Sequence, residues 1–152
     1  ARPDDLSAVL ALNHGSVELL APMDAQRLDL LRAIADRFEV VEVGDAVAGF
    51  VLTFRAGTSY DSANYRWFGD RHDDFYYLDR IVFDPAYRRR GLATLVYDAM
   101  ETRAKEHGRM CLEVNVEPPN EASLAFHASR GYTEVGRLGF PDHAVALMEK
   151  PL

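Results

Sequence analysis

The sequence Arg88-Arg89-Arg90-Gly91-Leu92-Ala93-Thr94 lies between a strand-like run, residues 75–83, and a run of helical periodicity. A helix start attracts phosphate, because its first backbone N–H groups lack partners and the helix dipole leaves partial positive charge there. Gly91 and Ala93 leave the backbone of this turn accessible, and Thr94 adds a hydroxyl donor. We therefore predict a diphosphate site before a helix whose buried positions are Leu92, Leu95, Val96, Ala99 and Met100.

Two motifs resemble those of the GNAT superfamily of N-acetyltransferases. The first is Arg-x-x-Gly-x-Ala, which follows Asp84-Pro85-x-Tyr87. The second runs from Asn120 to Tyr132, with an asparagine, small residues, an aromatic pair and a glycine before an aromatic residue. The two motifs stand in the order and at the spacing of the family, and neither of two other familiar phosphate loops, GxxxxGK[ST] and GxGxxG, is present. The resemblance implies one N-acetyltransferase domain over residues 1–152 that uses acetyl-CoA.

The resemblance also implies which residues hold acetyl-CoA. Those that would bind its diphosphate form the turn itself: Arg88, Arg89, Arg90, Gly91, Leu92, Ala93 and Thr94. The backbone of Ile81, Val82 and Phe83 would pair with the pantetheine arm, where two splayed strands leave N–H and C=O groups unpaired. Asn120 and Ser123 would contact the same arm, or serve as a helix cap and a small packing residue; the cap and ligand roles are compatible.

Acetyl transfer to an amine requires a base for the amine and a proton for the leaving thiolate. Asp79 and Tyr77 stand where family members place the base. We favour Asp79, because a carboxylate near an apolar pocket has its pKa raised towards a useful range. The alternative for Asp79 is an ion pair with Arg80. Strand alternation predicts that Tyr77, Asp79 and Ile81 share one face.

His127 stands where the family most often has a tyrosine that protonates the thiolate. A histidine with an unperturbed pKa of about 6.5 is protonated in substantial fraction near neutral pH, so it keeps that role open. The alternative is a structural histidine.

Composition limits the class of protein. The chain has 152 residues, of which 48% are hydrophobic and 27% charged, and its net charge is −7. This charge argues against nonspecific nucleic-acid binding and could steer a cationic amine. The sole cysteine, Cys111, gives no intrachain disulfide and no cysteine-based zinc site. With no bilayer-length apolar run and no leader-like start, we expect a cytoplasmic enzyme without metal, membrane or nucleic-acid partners.

The order of elements predicts a mixed α/β (α+β) fold, the GNAT fold. It has a central, mostly antiparallel sheet of six to seven strands flanked by four helices. The predicted elements are a truncated first strand at 1–3, a helix ending near His14-Gly15, a helix from Asp24 with a buried stripe from Leu28 to Phe38, a hairpin at 39–54, strand 75–83, helix 92–107, strand 110–116, helix 120–130, and strands 132–135 and 144–150.

The acceptor side is less determined by the sequence. Asn13 and His14 are either acceptor contacts or the end of a helix. The connection 55–74 is long and carries Tyr60, Tyr65, Trp67 and Phe68, so it is a lid, a contact within a homodimer or a segment packed onto the sheet. We expect a small primary amine as substrate. The alternatives are protein N-termini or lysines, and a non-catalytic acyl-CoA-binding module.

Overall fold

The computed structural model describes residues 1–16 and 22–152. Its helices are α1 (Leu6–Gly15), α2 (Ala25–Ile34), α3 (Ala63–Gly69), α4 (Leu92–Ala104) and α5 (Glu121–Ser129). Its strands are β1 (Arg37–Val43), β2 (Ala46–Arg55), β3 (Tyr76–Phe83), β4 (Arg109–Glu117), β5 (Thr133–Gly139) and β6 (Ala144–Pro151). Short 3-10 turns lie at Pro3–Asp5, Pro85–Tyr87 and Lys105–His107.

The strands form one sheet in the order β1-β2-β3-β4-β6-β5. Every neighbouring pair is antiparallel except β3 and β4, which are parallel. The predicted fold class, a mixed and mostly antiparallel sheet, is therefore confirmed. The parallel pair arises because α4 connects β3 to β4 as a crossover helix.

Helices cover both faces of the sheet and divide the core into two clusters. One cluster joins Val9 of α1, Leu28 of α2 and Phe68 of α3, and we term this side the α1–α3 face. The other contains Tyr97 and Met100 of α4 and has Phe126 of α5 packed against it, which defines the α4–α5 face. The sheet thus separates two helical layers, and a site between them requires an opening in the sheet.

The predicted first strand at 1–3 is wrong. Pro3–Asp5 form a 3-10 turn, in which Pro3 occupies a starting position where a missing N–H costs nothing. The backbone N–H of Arg2 donates to the Asp5 carboxylate at 2.8 Å, which fixes this turn ahead of α1. The sheet accordingly has six strands among the described residues.

The second helix starts as predicted and ends earlier. Asp24 caps α2 by accepting a hydrogen bond from the Arg27 N–H at 2.7 Å. Ala35 is already extended, and the Asp36 N–H bonds to the Thr53 carbonyl at 2.8 Å, which draws the chain into the sheet. Phe38 is therefore part of β1 and not of the helical stripe.

The predicted buried face of α4 is wrong in detail. Leu95 is 65% exposed, whereas the buried residues of the helix are Tyr97, Met100, Glu101 and Ala104. Glu101 is buried because Arg130 donates to it at 2.9 Å and Lys150 at 2.6 Å. Charged residues are rarely buried, so the carboxylate of Glu101 makes the buried face of α4 look like the exposed face in the sequence.

The connection 55–74 contains α3, a helix that the sequence analysis did not predict, so five helices flank the sheet within the residues that the structure describes. Ser62 caps α3 by accepting from the Tyr65 N–H at 3.3 Å. Tyr60, Tyr65 and Phe68 are buried, and the Tyr60 ring stacks on Phe54 with centroids 4.3 Å apart. Of the three alternatives for this segment, packing onto the sheet is the one that the structure describes.

Trp67 of α3 lies directly over Gly136 of β5, where an added Cβ would come within 2.3 Å of Trp67 Cζ2. Gly136→Ala should therefore destabilise the protein by about 1–3 kcal/mol, the usual cost of overpacking. Gly139→Ala on the same strand is the matched control, because nothing lies within 4 Å of the place that its added methyl group would take. Urea unfolding of both variants checks this, and equal stabilities would contradict the close packing of α3 on β5.

Candidate active site

The site begins where β3 and β4 separate. These parallel strands pair only at Tyr76↔Met110 and Tyr77↔Cys111, although both continue well past these residues. Beyond that point the facing edges no longer form a ladder, so their N–H and C=O groups require other partners. This is the splayed arrangement that the resemblance implies for a pantetheine arm.

A β-bulge at Asp79 lies beside the gap. On β2, consecutive residues Leu52 and Thr53 pair with Arg80 and Leu78, which leaves Asp79 as the extra residue of β3. The predicted alternation is therefore wrong past this point: Tyr77 belongs to the α1–α3 core, whereas Ile81 packs on the α4–α5 side. A hydrophobic pattern gives no signal of a single inserted residue, and bulges are known to redirect side chains next to active sites.

The gap opens into a cavity of about 310 Å³ that both helical layers line. Ser16 and Glu113 line it from the α1–α3 side, and Tyr97 and Phe126 from the α4–α5 side. Among the predicted site residues, those that line it are Asp79, Ile81, Val82, Phe83, Arg88, Ala93, Asn120, Ser123 and His127. The cavity thus connects the two sides of the sheet.

A second cavity of about 240 Å³ lies at the start of α4. The predicted diphosphate residues that line it are Arg88, Arg89, Gly91, Leu92, Ala93 and Thr94. The lining of these two cavities includes neither Arg90, whose guanidinium lies 5.1 Å from the centroid of the Tyr87 ring, nor Tyr77. The structure therefore brings most of the predicted cofactor residues together along one path from the turn into the gap.

The turn before α4 has the backbone of an anion site. Gly91 is the N-cap with φ of +76°, and Arg89 also has positive φ, +64°. Left-handed residues in a turn orient successive N–H groups into a concavity that suits anions. Nothing lies within 4 Å of the position where a Gly91 side chain would stand. A phosphate can therefore approach this backbone.

Asp79 forms the ion pair with Arg80 that was its alternative role, while its role as the base stays a prediction. It lines the cavity, and it accepts hydrogen bonds from the Tyr60 hydroxyl at 2.7 Å and from Arg80 Nε at 3.0 Å. Arg80 in turn donates to Asn13 of α1 at 2.9 Å. Burial raises the pKa of Asp79, against the opposing effects of Arg80 and Tyr60. Asp79 is thus a buried, ion-paired carboxylate at the gap.

Glu113 of β4 is the residue that sequence analysis missed. It lines the cavity and accepts a hydrogen bond from the Tyr77 hydroxyl at 2.5 Å. Burial, and then the charge of Asp79, raises the pKa of Glu113 to about 8. Its signal in the sequence is a carboxylate in the middle of a strand, on the same alternating set as Cys111 and Asn115, a pattern that marks either an exposed strand face or a buried acid. Tyr77, fully buried with its own pKa raised by burial, holds its proton and serves Glu113 as a donor.

His127 is buried at 5% exposure and bonded through both ring nitrogens. Nδ1 lies 2.7 Å from the Ser123 carbonyl oxygen, and Nε2 lies 2.6 Å from the Tyr97 hydroxyl. A carbonyl only accepts, so Nδ1 carries the proton and Nε2 accepts from Tyr97 in the neutral ring. Burial lowers the pKa of His127, which disagrees with the expected large protonated fraction near neutral pH.

Within residues 1–16 and 22–152, no group of three His, Cys, Asp or Glu side chains is arranged to hold a metal ion. No helix in the same described ranges combines the length and apolar character that crossing a bilayer requires.

The family of the chain is found by comparison with known proteins. The family model described as acetyltransferase (GNAT) family matches residues 6–132. No curated protein matches the sequence significantly.

Solved structures share the fold at low sequence identity. Naa20 of Chaetomium thermophilum, in complex with a bisubstrate analogue, is 18% identical with a TM-score of 0.77, and the match covers 100% of this chain and 84% of that chain. Ard1 of Thermoplasma volcanium is 18% identical with a TM-score of 0.78, covering 100% and 94%. A ribosomal-protein-alanine N-acetyltransferase of Brucella melitensis is 21% identical with a TM-score of 0.70, covering 100% and 97%. At these identities the likeness shows the fold alone.

The carboxyl pair in the gap generates a prediction about pH. A base is active in its ionised form, so a Glu113 that accepts the amine proton should make kcat/KM rise as pH increases through about 8. Glu113→Gln should lose this rise together with most of the turnover. Asp79→Asn removes the neighbouring charge that raises the pKa of Glu113, so the rise should move to lower pH. Profiles recorded with one amine at saturating thioester check both variants, and a rise near 8 that survives in Glu113→Gln would assign the base elsewhere.

Proposed function

The chain belongs to the acetyltransferase (GNAT) family and is an acyltransferase, and we propose that it transfers the acetyl group of acetyl-CoA directly to the primary amine of a small molecule. The observation that carries this proposal is the cavity between β3 and β4, lined from both helical layers. A thioester entering from the α4–α5 side and an amine entering from the α1–α3 side would meet in this gap. Such positioning is a large part of catalysis between two substrates.

The α4–α5 side fits the cofactor in three places. The turn at 88–94 offers backbone N–H groups and arginines to the diphosphate. The free edge of β3 from Ile81 to Phe83 offers N–H and C=O groups to the two amides of pantetheine. The Asn120 carboxamide oxygen caps α5 by accepting from Ser123 N–H at 3.3 Å, while its NH₂ group is a donor suited to the same arm. These contacts would leave the acetyl group at the gap.

The α1–α3 side supplies the acid–base groups for the amine. In our proposal, Asp79 stays ionised beside Arg80 and favours a cationic amine near the gap, and Glu113 takes the proton. The neutral amine nitrogen then attacks the acetyl carbonyl, the nitrogen of the tetrahedral intermediate loses its excess proton to solvent, and collapse of the intermediate to the amide releases the thiolate. Because Asp79 and Glu113 are coupled, the base belongs to the pair, with Glu113 as its proton acceptor.

Limited space supports a small amine. The pantetheine arm and the acetyl group would fill much of the roughly 310 Å³ of the gap, which leaves little room there for the acceptor. A second candidate is a peptide N-terminus, since only its terminal amino group needs to enter the gap. The enzymes named Naa20 and ribosomal-protein-alanine N-acetyltransferase share this fold, so the fold is compatible with the second candidate.

An acceptor panel separates the two candidates. Small primary amines and short peptides with free N-termini are offered with acetyl-CoA, and free thiol release is followed. We expect amine-dependent turnover that is faster with small amines than with peptides. Faster turnover of peptides would establish the second candidate, and acetyl-CoA binding without turnover of any acceptor would indicate a non-catalytic binding module.

Acetyl-CoA binding itself is tested at Gly91. The cofactor should raise the melting temperature, because it binds only the folded chain. Gly91→Val should abolish this rise, since its side chain would occupy the place of the phosphate. Gly44→Val is the matched control, because Gly44 also has positive φ, +61°, with nothing within 4 Å, but lies in the β1–β2 turn. Both variants share the backbone strain, of about 1–2 kcal/mol. Calorimetric affinity for Gly91→Val equal to that of Gly44→Val would refute this binding site.

A further inference from the structure

Two cavity-lining side chains from different helices share a short hydrogen bond. Tyr97 of α4 and His127 of α5 both line the gap, and the Tyr97 hydroxyl lies 2.6 Å from His127 Nε2. Both side chains are buried, at 2% and 5% exposure. A hydroxyl and an imidazole bonded in a buried site form a pair through which a proton can pass.

A hydrogen bond and two aromatic rings hold the imidazole of His127 in position. Its Nδ1 is 2.7 Å from the Ser123 carbonyl, one turn earlier in α5. The rings of Phe126 and Tyr132 pack edge-on against it at centroid distances of 5.4 Å and 5.3 Å. Since the carbonyl fixes the proton of the neutral ring on Nδ1, Nε2 always faces Tyr97.

We propose that Tyr97 is the group that protonates the departing CoA thiolate, and that His127 then gives Tyr97 a new proton through their shared hydrogen bond. Tyr97 is then a catalytic residue, and His127 acts through it. This inference rests on the proposed acetyl transfer and adds a residue to it.

The direction of the hydrogen bond explains how the pair delivers a proton. In the neutral pair, Tyr97 donates to Nε2, so its proton points away from the cavity. In the minor fraction of His127 that carries a second proton, Nε2 is a donor, the bond is reversed, and the Tyr97 proton is released to point into the cavity. The charged ring keeps its Nδ1–H bond to Ser123.

The step balances in protons and electrons. The C–S bond of the tetrahedral intermediate breaks and its electron pair moves to sulfur. Sulfur takes the proton of Tyr97, and the Tyr97 oxygen takes the proton of Nε2. The products are a thiol, a neutral tyrosine and a neutral His127, so no buried phenolate is left.

The surrounding groups favour Tyr97 over the other buried hydroxyls. The hydroxyls of Tyr60 and Tyr77 donate to Asp79 and Glu113, the carboxylates of the amine side. Tyr132 donates to Glu101 at 3.3 Å and is absent from the lining of the gap. Among these tyrosines of the described chain, Tyr97 is the one that both lines the cavity and is bonded to a base. The guanidinium of Arg130, 5.4 Å from the centroid of the Tyr97 ring, lowers the pKa of Tyr97 and so opposes the larger effect of burial.

The test compares Tyr97→Phe with Tyr132→Phe, an equally conservative change in a neighbouring buried tyrosine. In single-turnover acetyl transfer, Tyr97→Phe should be slower than the parent by about 10²- to 10⁴-fold, the range of positioned acid catalysis, with unchanged acetyl-CoA affinity. Tyr132→Phe should keep the parent rate. His127→Gln should also be slower than the parent. The double variant Tyr97→Phe/His127→Gln should be no slower than Tyr97→Phe alone, because both residues act in the same proton transfer and either substitution already removes it.

The outcomes separate this inference from the proposed function. If the parent transfers acetyl groups and Tyr97→Phe stays within about twofold of it, the relay alone is overturned. Additive losses in the double variant also overturn it. If the parent binds acetyl-CoA but transfers to no amine, both proposals fail. A readout independent of turnover is the ¹⁵N spectrum of His127: Nδ1 should be protonated in the neutral ring and Nε2 should shift in Tyr97→Phe, whereas an Nε2–H tautomer would overturn the relay.

Discussion

The parallel ladder between β3 and β4 stops after two residue pairs, and the site depends on where it stops. The bulge at Asp79 falls two residues beyond the last pair, where an extra residue increases local twist and bends a strand. The separation leaves the facing edges of β3 and β4 without a ladder between them, and a ligand with amide groups can bond to such edges. It also makes an opening through which groups on opposite faces of the sheet can meet. In the proposed function, binding and chemistry therefore both follow from one local interruption of β pairing.

Three buried tyrosines place hydroxyl groups on the titratable side chains around this opening. Tyr60 bonds to Asp79, Tyr77 to Glu113 and Tyr97 to His127. A buried charge or base without partners is costly, so each pairing allows an ionisable group to remain in a site of low dielectric. Tyr60 comes from the connection 55–74. That segment thus supports the gap and is not an addition to the surface, because its tyrosine fixes the carboxylate at the bulge.

The sequence predicted the parts of the fold that local patterns determine. Arg88 to Thr94 marked the strand, turn and helix, and Asp24 and Asn120 marked helix starts that the structure confirms. The failures lie where the pattern is short or where tertiary pairing prevails. Helix α3, with 7 residues, is too brief for a periodic signal. The face of α4 was misassigned because Glu101 is buried with Arg130 and Lys150. Asp79 was placed on the correct strand, but neither the bulge nor its closeness to Glu113 follows from residue order, because both arise from how separate strands meet.

For the proposed acetyl transfer, two carboxylates in the gap are better suited than one. A single buried carboxylate paired with Arg80 is locally neutral and attracts an ammonium group weakly. With Asp79 bound to Arg80, ionised Glu113 gives the gap a net negative charge that favours a cationic amine. The bound cation then offsets the repulsion between the carboxylates. In the proposed transfer Glu113 takes the proton, so the amine and Glu113 become neutral together and the net charge of the occupied gap does not change. Proton transfer between partners that are already desolvated thus avoids the creation of a new buried charge, which is the costly event in such a site.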